Sequence, residues 1–165
     1  MPRVLLTGFG PFGDHDVNPT EAIVDSFPSL IPIKNPFGRG SSEVSIEKHV
    51  LSVDEEGSRW TANELGSREW DAILHLGLCG ECIRPRIEVR AQDLLDMRIP
   101  DNSGRQEQGI ALSGSGDLHT PVPVKKWNIE QWDVDIELSL DAGQYICNET
   151  YYRTHEALNQ HKFAI

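Results

Sequence analysis

The chain has 165 residues, with 26 acidic against 15 basic side chains and a formal charge of −11. A chain of this length is expected to form one domain, residues 1–165, with a core that needs no disulfide or metal. The negative charge argues against binding to nucleic acids or to anionic membranes. No stretch approaches the roughly 18 apolar residues of a membrane-spanning helix.

The N-terminal residues and the cysteine content predict a cytoplasmic location. Residues 1–7 lack the long apolar stretch and the small-residue cleavage site of a secretory signal. Three cysteines, an odd number, fit free thiols in a reducing compartment.

The first part of the chain alternates strand and helix signals. Residues 3–7 form an apolar run that predicts a buried strand, followed by a Gly- and Pro-rich loop at residues 8–13. Residues 18–21 (Asn-Pro-Thr-Glu) predict a helix start, because Asn caps helices and Pro is tolerated in the first turn. The Pro-, Gly- and Ser-rich residues 28–43 predict a long loop.

The middle of the chain continues this alternation. Residues 44–53 alternate apolar and polar side chains and predict an exposed or edge strand. Asp54 is a candidate cap for a helix that ends near Leu65. Residues 72–77 form the clearest buried strand, and residues 85–95 form another extended segment.

The last part predicts a surface loop at residues 100–120, a strand at residues 134–140 and a final helix at residues 146–158. Residues 162–165 resemble the first half of a buried strand, so we expect the native chain to continue past Ile165. Alternating strands and helices indicate an α/β sandwich with a mostly parallel mixed sheet, here lacking its C-terminal part.

Three segments carry the chemistry, and their order and spacing are more specific than any one alone. They are residues 7–13 (TGFGPFG) followed by Asn18-Pro19; residues 77–80 (GLCG) with Glu88 and residues 98–104 (RIPDNSG); and residues 141–148 (DAGQYICN). Together they resemble the pyroglutamyl peptidase I family of cysteine peptidases, also called pyrrolidone-carboxylate peptidases. The resemblance runs from Met1 to Ile165 and is weakest between residues 28 and 45.

The resemblance implies an enzyme that removes an N-terminal pyroglutamyl residue from peptides with a Cys–His–Glu arrangement. It also implies a three-layer α/β/α sandwich and no metal or cofactor. The expected partners are a pyroglutamyl peptide substrate and other copies of the chain, since bacterial family members form homotetramers.

Cys147 matches the family's nucleophile. The residue follows an Ala-Gly turn and opens a predicted helix, where the positive end of the helix dipole is expected to lower its pKa. The same backbone amides are candidate oxyanion donors. From local context alone, a buried inert thiol is an equally good interpretation.

Glu88 matches the family's acidic residue, whose expected role is to orient the catalytic imidazole; an exposed strand carboxylate is the alternative. The family's histidine lies on the strand after the nucleophile helix, so we expect it just past Ile165, or absent from a truncated, inactive form. His155 lies eight residues beyond Cys147, roughly 12 Å along the helix. His75 is predicted to be a core residue, and no family motif includes the others, which lie in or near loops or farther along the helix: His15, His49, His119 and His161.

Three further residues match family positions. Phe9 and Phe12 match aromatic residues that line the pyroglutamate pocket, and plugging the core is the alternative. Arg98 matches an arginine expected near the oxyanion or the substrate carbonyl, with a surface ion pair as the alternative. The chain departs from the common bacterial pattern at Leu78, Val89, Asp93 and Asp141, which is expected to affect substrate preference and rate more than reaction class.

Two other functions remain open from the sequence. A non-catalytic homologue would bind a small pyroglutamyl-like ligand. A thiol redox protein would use Cys79 and Cys82, but the residues from Pro85 onward do not predict the helix that a redox Cys-x-x-C motif needs. A structural zinc site would need about four ligands, and no second pair is present.

Overall fold

The computed structural model describes residues 1–34 and 41–162. Its strands and helices follow in chain order: β1 (Arg3–Phe9), α1 (Pro19–Ser26), β2 (Leu30–Lys34), β3 (Ser41–Leu51), α2 (Glu55–Glu64), β4 (Ala72–His75), β5 (Arg86–Glu88), β6 (Arg90–Ala91), β7 (Leu118–His119), β8 (Glu137–Ser139) and α3 (Ile146–Lys162). Two short 3-10 turns, Val124–Lys126 and Ile129–Gln131, precede β8. Among these helices, none is long and apolar enough to cross a membrane.

The main sheet has the strand order β2-β3-β1-β4, with β1 parallel to β3 and β4 and with β2 antiparallel to β3. Alternate residues of β1 face opposite sides of this sheet. Gly8 lies against Thr20 and Val24 of α1, whereas Phe9 packs in the core cluster that contains Ile146 of α3. The helices therefore cover both faces, which confirms the α/β sandwich with a mostly parallel sheet.

The described part of the chain also contains two smaller sheets. Strand β5 pairs in parallel with β8, and β6 pairs antiparallel with β7. The β5–β8 pair carries Glu88. Strand β8 leads into the segment that precedes α3.

Both predicted helix caps are confirmed. The Asn18 side chain accepts a hydrogen bond from the backbone of Thr20 at 3.1 Å and donates to the carbonyl of Gly10 at 3.1 Å. Asp54 accepts from the backbone of Gly57 at 2.8 Å. These contacts satisfy amides that a helix start leaves unpaired, and Asn18 also fixes the loop after β1.

The predicted loop at residues 28–43 is wrong in part, because it contains β2 and the start of β3; residues 35–40 lie outside the described part. Pro32 is accommodated because β2 is an edge strand. As β2 covers β3 on one side, β3 is an inner strand rather than the predicted edge.

Strand β4 was expected to be fully buried, but the described part of the sheet ends with it, and Leu74 is 52% exposed. Sequence hydrophobicity alone does not distinguish an inner strand from an outer one. The final helix α3 extends to Lys162, and the strand predicted to follow it, residues 163–165, lies outside the described residues.

Candidate active site

The start of α3 is held in place by one buried side chain. Cys147 is the second residue of the helix, and the turn before it uses the positive φ of Gly143, +78°. Asn148 is fully buried and accepts a hydrogen bond from the backbone of Gln92 at 2.9 Å. It also donates to the carbonyls of Gln92 and Leu94, both at 3.0 Å. These bonds fix the helix start against residues 92–94.

The thiol of Cys147 lies under the loop that follows β4. A Cβ placed on Gly77 would lie 3.1 Å from the Cys147 Sγ and 3.4 Å from its Cβ. A side chain at position 77 would therefore press on the sulfur, and glycine lets the backbone approach it.

The expected lowering of the Cys147 pKa is wrong. Burial raises the pKa of this thiol from 9.0 to about 11, although the backbone amides of Leu78 and of Cys147 itself act to lower it. Loss of hydration opposes the thiolate more than the helix start favours it. At neutral pH the group is a thiol and needs a base before it can act as a nucleophile.

Glu88 lies at the end of β5 and contacts residues on both sides of Cys147 in the sequence. Burial raises its pKa, while the Ser139 hydroxyl, the Asp141 amide and Arg86 lower it. The hydroxyl of Tyr151, one helical turn after Cys147, donates to the backbone carbonyl of Glu88 at 2.9 Å.

One oxygen of Glu88, Oε2, is buried and has no hydrogen-bond partner among the described residues. Buried carboxylate oxygens are costly unless a donor reaches them. This atom is therefore a vacant acceptor beside the helix that carries Cys147.

The two predicted pocket phenylalanines differ in burial. Phe9 is only 3% exposed and belongs to the core. Phe12 is half-buried, with its ring centroid 6.0 Å from that of Tyr145 and 5.7 Å from that of His15. Because Tyr145 comes two residues before Cys147, Phe12 and Tyr145 form an aromatic pair on this side of the thiol.

Arg98 is exposed, and none of the ion pairs formed by residues 1–34 and 41–162 includes it. The surface ion pair that was its alternative interpretation is thus not observed. Arg98 begins the motif segment 98–104. Arg105, which lies just past that segment, binds the buried Glu149 of α3 and was not predicted from the sequence. The available signal was an acidic residue in the first turn after a nucleophile.

Two of the described histidines are engaged away from Cys147. His75 bonds Thr7 through Nδ1 at 2.7 Å and Thr154 through Nε2 at 3.0 Å, and burial lowers its pKa to about 4. The predicted core position is wrong in part, because the His75 side chain is half-buried and lies on β4, the last strand of the described sheet. His49 was placed near a loop, but it lies in β3, stacked on Trp60 at 3.6 Å between ring centroids.

Cys79 and Cys82 form a disulfide, which corrects the expectation of free thiols only. The two cysteines are three positions apart, and the turn between them brings their sulfurs together. The odd number of cysteines did not reveal this pairing. Cys147 is the free cysteine. Within the described ranges no cluster of three His, Cys, Asp or Glu is arranged to hold a metal.

The sequence model of the pyroglutamyl peptidase family matches residues 2–165. The pyrrolidone-carboxylate peptidase of Coprothermobacter proteolyticus is 31% identical over 167 residues, covering 98% of this chain and 76% of the relative. That of Fusobacterium nucleatum is 29% identical over 156 residues, covering 92% and 69%.

Solved structures agree with these relatives. Pyrrolidone carboxyl peptidase from Pyrococcus furiosus superposes with a TM-score of 0.81 at 25% identity, covering 98% of this chain and 76% of that one. Pyroglutamyl peptidase I of Bacillus amyloliquefaciens gives 0.81 at 26% identity, with the same coverage. The chain belongs to the pyroglutamyl peptidase family.

Proposed function

We propose that this protein is a cysteine exopeptidase that hydrolyses the bond after an N-terminal pyroglutamyl residue, with Cys147 as nucleophile. The observation that carries the proposal is the position of Cys147, a free thiol at the start of α3 beneath Gly77 and Leu78. The names of its relatives support the same reaction.

The first step needs a base, because burial keeps Cys147 protonated at neutral pH. We propose a histidine beyond Ile165, as the family resemblance implies, with one imidazole N–H donating to the vacant Oε2 of Glu88. Glu88 would then fix the tautomer and orientation of the ring. An imidazolium beside the sulfur would also favour the thiolate that burial disfavours.

The thiolate attacks the pyroglutamyl carbonyl and forms a carbon–sulfur bond. As the tetrahedral intermediate collapses, the carbon–nitrogen bond breaks and the imidazolium gives its proton to the leaving amine. Water then attacks the thioester, releases pyroglutamate and restores the thiol. The amides of Leu78 and Cys147 lie beside the sulfur and are the candidate donors to the oxyanion, with Arg98 as a further cation.

The aromatic residues suit a flat lactam ring. Phe12 and Tyr145 offer partly exposed rings near Cys147, and Phe9 supports the loop from within the core. Homotetrameric assembly and a cytoplasmic location stay predictions.

The second candidate function is ligand binding without turnover. The raised pKa of Cys147 and the engagement of His75 and His49 elsewhere favour it for a protein that brings no imidazole to the thiol. Turnover and binding must therefore be measured separately.

The direct test is hydrolysis of a fluorogenic pyroglutamyl amide by the full-length protein, with the Cys147→Ser variant as control. Serine differs from cysteine by one atom, so the fold is retained while hydrolysis falls at least about a thousandfold. Undiminished hydrolysis by the variant would reject Cys147 as the nucleophile.

A second measurement does not depend on the base. At alkaline pH, pyroglutamyl chloromethyl ketone should alkylate Cys147 faster than prolyl chloromethyl ketone, which lacks the lactam carbonyl. Selective alkylation without hydrolysis supports the binding function, and equal alkylation by both reagents argues against a pyroglutamyl site.

A further inference from the structure

Glu149 is a buried anion two residues after the nucleophile. It is fully buried in α3 and binds Arg105 through two contacts: Nη2 to Oε2 at 2.6 Å and Nη1 to Oε1 at 3.3 Å. The Arg105 Nε also donates to Oδ2 of Asp101 at 3.0 Å. Arg105 therefore joins two buried carboxylates, one on α3 and one on the preceding loop.

The segment at residues 97–106, here called the strap, is rigid around Asp101. The Asp101 Oδ1 accepts hydrogen bonds from the Ser103 amide at 3.0 Å, the Ser103 hydroxyl at 2.7 Å and the Arg105 amide at 2.9 Å. Because these bonds tie the strap to itself, the Arg105 to Glu149 bridge orients the whole strap rather than one side chain.

The middle of the strap is hydrogen-bonded to both sides of the aromatic pair beside the thiol. The Pro100 carbonyl accepts a hydrogen bond from the Tyr145 hydroxyl at 3.0 Å. The Asn102 side chain donates to the carbonyl of Pro11, the neighbour of Phe12, at 2.9 Å. A displacement of the strap would therefore move both rings.

Stability alone is a poor explanation for this bridge. Buried ion pairs lose hydration when they form, and apolar residues of similar volume are often as stabilising. Apolar residues would not fix the relative orientation of the two segments. The guanidinium does so, because it binds two carboxylates in a planar geometry.

We propose that Arg105 is a positioning residue that holds the strap against α3 and thereby sets the spacing of Phe12 and Tyr145 for the pyroglutamyl ring. This deepens and rests on the proposed function. Arg105 acts through the strap and does not touch the reacting atoms, so its loss should weaken substrate binding more than it slows the chemical step.

Arg153 provides a matched control. Its Nη2 lies 3.7 Å from the Glu149 Oε1, and its Nη1 donates to the carbonyl of Leu112 at 3.0 Å. It shares the anion with Arg105, but none of its hydrogen bonds or ion pairs within residues 1–34 and 41–162 reaches the strap. After loss of Arg105, the remaining Arg153 still faces Glu149, so the buried carboxylate keeps a cation.

The experiment compares Arg105→Met, Arg105→Lys and Arg153→Met in the full-length protein with a pyroglutamyl amide substrate. For Arg105→Met we expect KM to rise about tenfold with kcat within about twofold of wild type. Arg105→Lys should recover part of the loss, and Arg153→Met should leave KM unchanged. An unchanged KM in Arg105→Met, or the same rise in Arg153→Met, would overturn the proposal.

A second readout separates this proposal from the proposed function. Amide hydrogen exchange of residues 97–106 should accelerate in Arg105→Met and not in Arg153→Met, whether or not the protein hydrolyses the substrate. If the wild type neither hydrolyses nor selectively reacts with pyroglutamyl reagents, the proposed function fails, and exchange alone decides whether Arg105 orders the strap. Unchanged exchange in Arg105→Met rejects the positioning role.

Discussion

The two groups proposed to cooperate in catalysis lie in regions that are held together differently. Cys147 sits in a corner fixed by buried hydrogen bonds from Asn148 to residues 92–94. Glu88 sits on the β5–β8 pair, where the ion pairs that link the two strands and the residues beside them are exposed. These are Arg84 with Asp135 at 3.1 Å and Arg86 with Glu137 at 2.7 Å.

The difference shows where the site is fixed and where it can adapt. Buried hydrogen bonds are costly to break, because the freed groups have no water to bind. Exposed ion pairs contribute little, because water competes for both partners. The nucleophile is therefore set by the fold, whereas the position of Glu88 depends on a few links, such as the Tyr151 hydroxyl to its backbone carbonyl.

The largest expected effect comes from neutralising Glu88. Glu88→Gln keeps the shape but loses the charge that would orient the imidazole, so kcat in the full-length protein should fall by about a thousandfold or more. A variant with wild-type kcat would remove Glu88 from the mechanism.

Asn148→Ala tests how firmly the start of α3, which carries Cys147, is fixed against residues 92–94. The substitution removes three buried hydrogen bonds and leaves backbone groups of Gln92 and Leu94 without partners. The free energy of unfolding should therefore fall by about 3 kcal/mol. Denaturant unfolding measures this change. A fall in the free energy of unfolding of less than about 1 kcal/mol would mean that the start of α3 is no better fixed than the β5–β8 pair.

The pH dependence of Cys147 alkylation tests the enclosure of the thiol. With a pKa raised from 9.0 to about 11, the thiolate fraction at neutral pH should be about a hundredfold lower than for an exposed cysteine. In the 165-residue chain, iodoacetamide alkylation should therefore rise with pH and reach its midpoint near pH 11. A midpoint below pH 9 would show that the helix start dominates over burial.

The smallest effect is expected from the surface of the β5–β8 pair. Arg84→Ala breaks an exposed ion pair in which Asp135 is 76% exposed, so the free energy of unfolding should change by less than about 0.5 kcal/mol. Denaturant unfolding of Arg84→Ala and Asn148→Ala under the same conditions compares the two losses of unfolding free energy directly. A loss comparable to that of Asn148→Ala would contradict the distinction between the two regions.

Local signals were enough for much of this fold. Asn18 and Asp54 cap the helices that their side-chain chemistry predicted, and the Ala-Gly turn indicated a helix start at Cys147. Strand β2 was not predicted because its short sequence, interrupted by Pro32, becomes a strand only through pairing with β3.

The errors in the site have the same origin. The pKa of Cys147 depends on packing against Gly77, which is 70 positions away in sequence. The Arg105–Glu149 bridge spans 44 positions. No local pattern contains either contact, since both depend on how distant elements meet.

The Cys79–Cys82 disulfide has a practical consequence for anyone who prepares this protein. Its ring closes within four residues that contain no lysine or arginine, so trypsin leaves both sulfurs in a single fragment. Electrophoretic mobility and a digest map would barely register it. Only a mass lighter by two hydrogen atoms, or alkylation of one cysteine instead of three, would reveal its presence.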